Sequence, residues 1–401
     1  MKILWVKAGG IVPLDTGGKI RSYHIIRELS QKHDVTVFTF YPRQLDDAHV
    51  ELRRTLGNIV CVPLQLPASR SLGEYVDYLA RIFSSYPYTM AKYYRPEVFR
   101  SFNQLLESNI PDVMVCDFVY PAGLIPWDLP CPKVLFAHNV EAQVWHRYYQ
   151  VTHNPLLKLV TWLEYRAMRR AERSYVQRAD HLLTVSEPDR TFFTQYMDSR
   201  RITAIPTGVD LDYFQPSVGP ENPNSVVFTG SMDWLPNDDG ICYFLNEIFP
   251  RIRHYVPDVK LSLVGRNPSI KVAALAKEKG AEVTGRVPDI RPYVHPACVY
   301  VVPLRVGGGT RLKIFEAMAM GKAIVSTSIG AEGLPVTIGK NILIEDDPER
   351  FALSVAGLLS DPAARFRLGR AARQMVESRH SWRAVAAEFD LALEKVVRKN
   401  V

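Results

Sequence analysis

Short runs of β-branched and aromatic residues alternate along this chain with longer stretches whose apolar positions recur at helical spacing. In the first half the runs Lys2–Lys7, Asp34–Phe40, Asn58–Val62, Asp112–Cys116, Lys133–Ala137, Asp180–Val185 and Ile202–Ile205 each predict a strand. The first helix is expected over Lys19–Gln31, with Ile20, Tyr23, Ile26 and Leu29 along one side. The pattern restarts after Pro223, with strands predicted at Ser225–Thr229, Val259–Val264, Glu282–Thr284, Cys298–Val302, Ala323–Thr327 and Asn341–Ile344. Strands separated by helices read as parallel sheets of right-handed βαβ units, and two series read as two doubly wound α/β domains. The expected boundaries are 1–207 for the first domain, a proline-bearing linker at 208–224, and 225–380 for the second. A last helix, 381–398, places Trp382, Val385, Phe389 and Leu393 on one face and is expected to pack back on the first domain.

Length agrees with this division, because 401 residues exceed one ordinary domain of ~150. The longest apolar runs, such as Cys298–Leu304, fall far short of the ~20 residues that span a bilayer. The opening residues read as a strand rather than a secretion signal. Five scattered cysteines with no C-x-x-C fit reduced thiols in a cytoplasmic protein better than disulfides or zinc. A net charge of +7, from 49 basic and 42 acidic residues, suits nucleic acid, phosphorylated small molecules or anionic headgroups equally. Nucleic acid is not expected as a partner, since the excess is modest and charge alone does not decide.

In doubly wound sheets ligands bind beyond the carboxyl ends of the strands. After the first strand come Gly17 and Gly18, where the first helix begins; they either open a helix N-terminus to an anion or make a tight turn. A G-x-G-x-x-G is absent and the second strand ends in Phe40-Tyr41 rather than an acid, which disfavours a dinucleotide. No P-loop motif occurs. The densest chemistry lies at 301–327, which reads strand, glycine loop, helix, glycine, strand. Gly307, Gly308 and Gly309 expose backbone donors, Thr310 caps the helix, and Arg311 and Lys313 add cations to its first turn. Dipole, amides and charge together suit a diphosphate. Glu316, one turn further in, can accept hydrogen bonds from two vicinal hydroxyls such as a ribose offers; its alternative is a surface ion pair.

This stretch resembles the donor-site signature of glycosyltransferase family 4, retaining enzymes of GT-B fold that use nucleotide-diphosphate sugars. Three further segments resemble that family in order and spacing. They are Ile205–Phe214 between the domains, Phe228–Asn237 at the first donor-domain loop, and Thr284–Tyr293 at the base-proximal loop. The resemblance implies two facing Rossmann-like domains with a cleft between them. It also implies donor contacts at Gly17, Gly18, Gly230, Ser231, Arg286, Val287, Arg305, Gly308, Gly309, Thr310 and Leu312, with His138, Arg311, Lys313 and Glu316 in the catalytic set. His138 follows the strand Lys133–Ala137, and the family often has a histidine there facing the transferred sugar; a loop histidine of no special role is the alternative. Two departures matter. Gly308 stands where the family's first acid of E-x7-E is usual, and Ser231 and Asn237 stand where many members carry arginine and lysine.

The expected activity is transfer of a sugar to a glycan or lipid-linked acceptor with retention of configuration, in bacterial polysaccharide or glycolipid synthesis. A GT-B epimerase or phosphorylase, or a non-catalytic nucleotide-sugar or glycan-binding protein, are the alternatives. No cofactor or metal is expected beyond the donor co-substrate. His146 and His153 lack supporting geometry for a metal, and Asp210-Leu211-Asp212 reads as a turn. On the acceptor side Tyr75, Tyr78, Phe83, Tyr86, Tyr88, Tyr93, Tyr94 and Phe99 crowd one region, as a platform or as core. Residues 156–178 carry six basic residues against Glu164 and Glu172, either a solvated face or a seat on an anionic membrane. The protein is expected in the cytoplasm, or peripheral on the inner face of the membrane.

Overall fold

The inner runs that the pattern marks, such as 113–117, 133–137, 299–302 and 323–326, are buried on both faces, which a parallel sheet covered by helices requires. The computed structural model describes residues 1–41, 47–67, 71–81, 84–108, 110–152, 154–306 and 312–399. It divides into two units, Met1–Pro206 with Trp382–Val401, and Thr207–Ser381. The proline-bearing stretch 208–224 counts with the second unit.

In the first unit β1 (Lys2–Ala8), β2 (Asp34–Tyr41), β3 (Asn58–Pro63), β4 (Val113–Asp117), β5 (Lys133–Ala137), β6 (His181–Thr184) and β7 (Ile202–Ala204) form one sheet. Their order is β3-β2-β1-β4-β5-β6-β7, with every pair parallel. The order reverses between β1 and β4, where Lys7 pairs in register with Asp117. Leu4, Val6, Phe38, Phe40, Met114, Cys116 and Leu135 face one side and build the larger core. Trp5 and Phe136 point to the other, where Phe389 of the last helix, Trp382–Lys399, stacks on Trp5 at 5.3 Å. That helix is fixed further by Trp382 lying flat on His24 and by Asp390 at 2.6 Å from His33.

The second unit holds β8 (Ser225–Thr229), β9 (Lys260–Val264), β10 (Glu282–Gly285), β11 (Val299–Val302), β12 (Ala323–Ser326) and β13 (Leu343–Ile344). They run parallel in the order β10-β9-β8-β11-β12-β13, reversing between β8 and β11. The period of two divides the core cleanly. Val226, Phe228, Leu261, Leu263, Val299, Val301 and Val325 pack on one face, and Val227, Val264, Tyr300, Val302 and Ile324 on the other. No described helix is long and apolar enough to cross a membrane.

Candidate functional site

At the reversal point of the first sheet, polar groups gather where the sequence pattern promises core. Asp117 ends β4 with none of its side chain exposed. Its Oδ2 accepts from Trp5 Nε1 at 2.8 Å, Lys7 Nζ at 3.0 Å and Ser22 Oγ at 2.6 Å. Burial alone would raise its carboxyl, but Lys7, His138 and the Ser22 hydroxyl outweigh it and hold the group below the usual carboxylate range. Burial lowers the Lys7 ammonium, against the pull of Asp117.

His138, just past β5, is 2% exposed. Its Nδ1 lies 3.0 Å from Arg21 Nη1, and its Nε2 lies 2.7 Å from Asp117 Oδ1 in close contact without hydrogen-bond alignment. A guanidinium only donates, so Nδ1 must carry a lone pair and the ring proton belongs on Nε2, on the Asp117 side. Burial is the main cause that pulls this imidazole down to about 3, and it outweighs Asp117; Arg21 and Lys7 add to the lowering. His138 is therefore neutral at pH 7. Phe118 stacks on it at 3.9 Å. Gly18 makes that stack fit, because a Cβ there would stand 2.8 Å from the Phe118 ring and 3.7 Å from His138 Nδ1. Gly17 and Gly18 begin the first helix, Gly17–Leu29, whose inner face carries Arg21, Ser22 and His24 beside Ile25, Ile26 and Leu29. Behind the imidazole a void of about 10 Å³, bounded by Asn139, Glu141 and Glu172, has room for roughly one water. Burial first, then Glu141, raises the Glu172 carboxyl to about 8.

In the second unit a cluster forms past the end of β8. Lys313, in the helix Leu312–Ala319, donates to Asn237 Oδ1 at 2.8 Å and lies 4.2 Å over the Phe228 ring. Asn237 in turn donates to the Ser231 carbonyl at 2.7 Å. Gly230 gives the ammonium its space: φ is 155°, and a Cβ there would come within 2.5 Å of Lys313 Nζ. Ser231 Oγ donates to Asp233 at 2.5 Å and accepts from Arg266 Nε at 2.7 Å. Arg266, just past β9, is a cation that the motif reading does not single out. The two cations absent from the first loop thus arrive from other elements, Lys313 against Asn237 and Arg266 against Ser231. Glu316 lies one turn beyond Lys313, and its carboxyl is raised to about 7 by withdrawal from water, partly offset by Lys313.

Other expected donor residues lie apart. Arg305 makes a two-point pair with Asp239, at 2.6 and 3.1 Å, and stacks on Tyr243. Arg286 is exposed, and Val287 packs on the core with Ile290 and Tyr293. Gly308, Gly309, Thr310 and Arg311 lie outside the described residues, as do Phe83 and His153. Asp210 Oδ1 accepts from the backbone amides of Asp212 and Tyr213, which makes the D-x-D a turn. Among the aromatics, Tyr93 meets Phe40, and Tyr94 meets Tyr86 and Phe99 and donates to the Tyr120 carbonyl; Tyr86, Tyr93 and Tyr94 pack against the core, while Phe99 and Tyr75 are exposed.

Comparison with known proteins accords with these two halves. Residues 16–213 match the family described as Glycosyltransferase Family 4, and residues 223–361 match Glycosyl transferases group 1. An uncharacterized 44.6 kDa protein in the cps region of Klebsiella pneumoniae is 24% identical over 369 residues, 88% of this chain and 89% of that protein. Phosphatidyl-myo-inositol mannosyltransferase of Mycobacterium tuberculosis is 27% identical over 206 residues, 48% of this chain and 53% of that enzyme. Sucrose-phosphate synthase from Thermosynechococcus elongatus superposes with a TM-score of 0.74 at 17% identity, covering 100% of both chains. Anabaena HepE in complex with UDP and glucose does so with a TM-score of 0.71 at 14% identity, covering 98% of this chain and 99% of that one. Two doubly wound units, each matched by its own half of the same enzyme group, identify this chain as a glycosyltransferase that belongs to family 4 and has the GT-B fold.

Proposed function

We propose that this glycosyltransferase moves a sugar from a nucleoside-diphosphate donor to a glycan or lipid-linked acceptor, with retention of configuration and without a metal. The observation that carries the reading is the Lys313 ammonium fixed by Asn237 beside Gly230, with Arg266 on the adjoining Ser231. Two cations held at the carboxyl ends of parallel strands suit a diphosphate, and the complexes of HepE with UDP support a nucleotide donor. Glu316 takes the ribose hydroxyls, and Arg311, Gly308, Gly309 and Thr310 complete the phosphate side.

As the glycosidic C–O bond breaks, the leaving phosphate accepts the acceptor's proton on the same face while the acceptor oxygen bonds to the anomeric carbon. Lys313, Arg266 and Arg311 offset the charge that grows on the phosphate. His138, neutral and with its two ring nitrogens taken up by Arg21 and Asp117, serves the transferred sugar by holding Arg21 in place rather than as the base. The basic face of 156–178 seats the protein on an anionic membrane in the cytoplasm, which suits a lipid-linked acceptor.

The test is a thermal-shift screen of UDP-, GDP-, ADP- and TDP-sugars, because a ligand raises apparent stability by mass action. It is followed by product analysis with and without EDTA. One donor class should shift the melting temperature and give a product of retained configuration in EDTA. Loss of activity in EDTA with recovery in Mn²⁺ would refute the metal-free step. Release of a free 2-epimer would replace transfer by epimerisation.

A further inference from the structure

The helix Leu72–Arg81 is amphipathic in the wrong direction. Leu72, Tyr75, Val76 and Leu79 recur at the spacing of one helical stripe. That stripe faces water: Leu72 is 81% exposed and Leu79 is 62% exposed. The opposite, polar side rests on the first unit. Asp77 takes Arg81 at 3.2 Å and Arg95 at 3.0 Å, and Tyr78 meets Tyr88 edge-on at 5.3 Å. A solvated stripe of four large apolar side chains on a helix with no buried residue is a surface made to be covered.

What covers it is indicated by the neighbouring long helix, Pro155–Arg178. Tyr88 ties the two together, since its backbone N–H donates to Glu164 Oε1 at 3.0 Å. Both acids of the long helix are turned inward, Glu164 to Tyr88 and Glu172 to the backbone N–H of Glu141 at 2.8 Å. Its outer side therefore bears Arg166, Arg169, Arg170 and Arg173, all exposed, at spacings of three and four residues and with no exposed carboxylate on the helix. At 100° per residue, Leu159 and Trp162 continue that stripe toward the N-terminus, and Arg166 stacks on Trp162 at 4.8 Å. Apolar and indole groups followed by arginines, with an uncovered apolar helix alongside, match a bilayer of anionic lipid. A protein partner would need acids for the arginines and a dry groove for the stripe; the lipid surface supplies both.

We propose that Leu72–Arg81 is a membrane-inserting element, its apolar stripe entering the headgroup region while the arginines of Pro155–Arg178 hold the anionic surface. The inference rests on the membrane seat proposed for 156–178 and adds a second, apolar element to it. The test is co-sedimentation of the full chain with vesicles of phosphatidylcholine alone and of phosphatidylcholine with 30% phosphatidylglycerol. Three proteins are compared: the wild type, L72S/V76S/L79S, and R166E/R169E/R170E/R173E. All the altered side chains are exposed, and an unchanged melting temperature of each variant confirms its fold. Wild type should bind the anionic vesicles and not the neutral ones. The serine variant should lose ~30-fold or more in partitioning, as three apolar side chains leaving the interface imply. The glutamate variant should lose binding and its salt sensitivity together. If the serine variant binds as wild type does, the inserting element is refuted while the basic seat stands. If wild type binds neither vesicle, both are refuted. Concentration-dependent dimerisation abolished by the serine changes, without vesicle binding, would assign the stripe to a second copy of the chain instead.

Discussion

Replacing Asp117 with asparagine keeps the shape of the side chain and removes the charge that organises the first unit's polar cluster. Oδ2 serves three donors at 2.6–3.0 Å, and the side chains of Lys7 and Asp117 are 3% and 0% exposed. Breaking a buried pair leaves an uncompensated charge and costs ~3–5 kcal/mol. The new amide would also turn an N–H toward donors that have no use for it. The loss has a ceiling, because burial already lowers the Lys7 pKa and the lysine can shed its proton. The lower end, about 3 kcal/mol at pH 7, is expected. The pH dependence follows from the sign of the shift. The Asp117 carboxyl is depressed in the folded state, so its contribution is full above the unfolded value near ~3.9 and is lost as pH falls below it.

Urea unfolding followed by tryptophan fluorescence reads this directly. Five of the six tryptophans, Trp5, Trp127, Trp145, Trp162 and Trp382, lie in the first unit. The first-unit transition should move to lower urea while a second-unit probe stays in place. Lys7→Met combined with Asp117→Asn should cost at least ~1.5 kcal/mol less than the two single changes added, because partners in one network couple. Asp117→Asn within about 1 kcal/mol of wild type, or simple additivity in the double variant, would refute the pairing as the source of the stability.

His138→Ala should lower kcat and kcat/KM together, each by ~2–3 kcal/mol in activation free energy, with donor affinity nearly unchanged; His138→Asn should recover part. Normal turnover by the alanine variant in steady-state assays would return His138 to a structural role. Lys313→Ala should weaken nucleoside-diphosphate binding by ~1.5–3 kcal/mol in calorimetry and leave the bare nucleoside nearly unaffected; equal losses would contradict a phosphate contact. Glu172, raised to about 8 when folded, keeps a proton that the unfolded chain releases above the ordinary value of 4.5. Its contribution to stability therefore declines as pH rises from about 4.5 to about 8, by ~1.4 kcal/mol per pH unit. Glu172→Gln, which keeps an acceptor for the Glu141 amide, should flatten that decline in urea titrations at several pH values.

The strands are legible because a parallel sheet buried on both faces demands continuous β-branched runs, and all thirteen runs become strands within one or two residues of their expected ends. What the pattern misplaces is the inner face of the first helix. Helical spacing predicts that face from Ile20, Tyr23, Ile26 and Leu29, yet the buried side centres on Ser22, Ile25, Ile26 and Leu29 and takes in Arg21. A rule that equates burial with apolarity cannot place Arg21 and Ser22 inward. Their burial depends on His138 and Asp117, which are distant in sequence and meet them only when β4 and β5 assemble. The same limit hides Arg266: nothing in its local sequence marks it, and only the adjacency of β8 and β9 brings it to Ser231.

The absent cations of the first donor loop show how far a motif can be trusted. Read as a string, Ser231 and Asn237 only say that the cations many members carry there must come from elsewhere. In the fold they are polar anchors, Ser231 accepting from Arg266 and Asn237 accepting from Lys313, so the positive charge sits at the same strand end but is delivered from β9 and the helix Leu312–Ala319. A motif records which residue carries a charge, whereas a diphosphate responds only to where the charge is held. A side chain at Gly230 would be strained by the backbone φ of 155° and would crowd both the Lys313 ammonium and the Asn237 amide. The positions of the Lys313 ammonium and the Arg266 guanidinium, rather than the letters at 231 and 237, are therefore what nucleotide-binding assays on this chain should test.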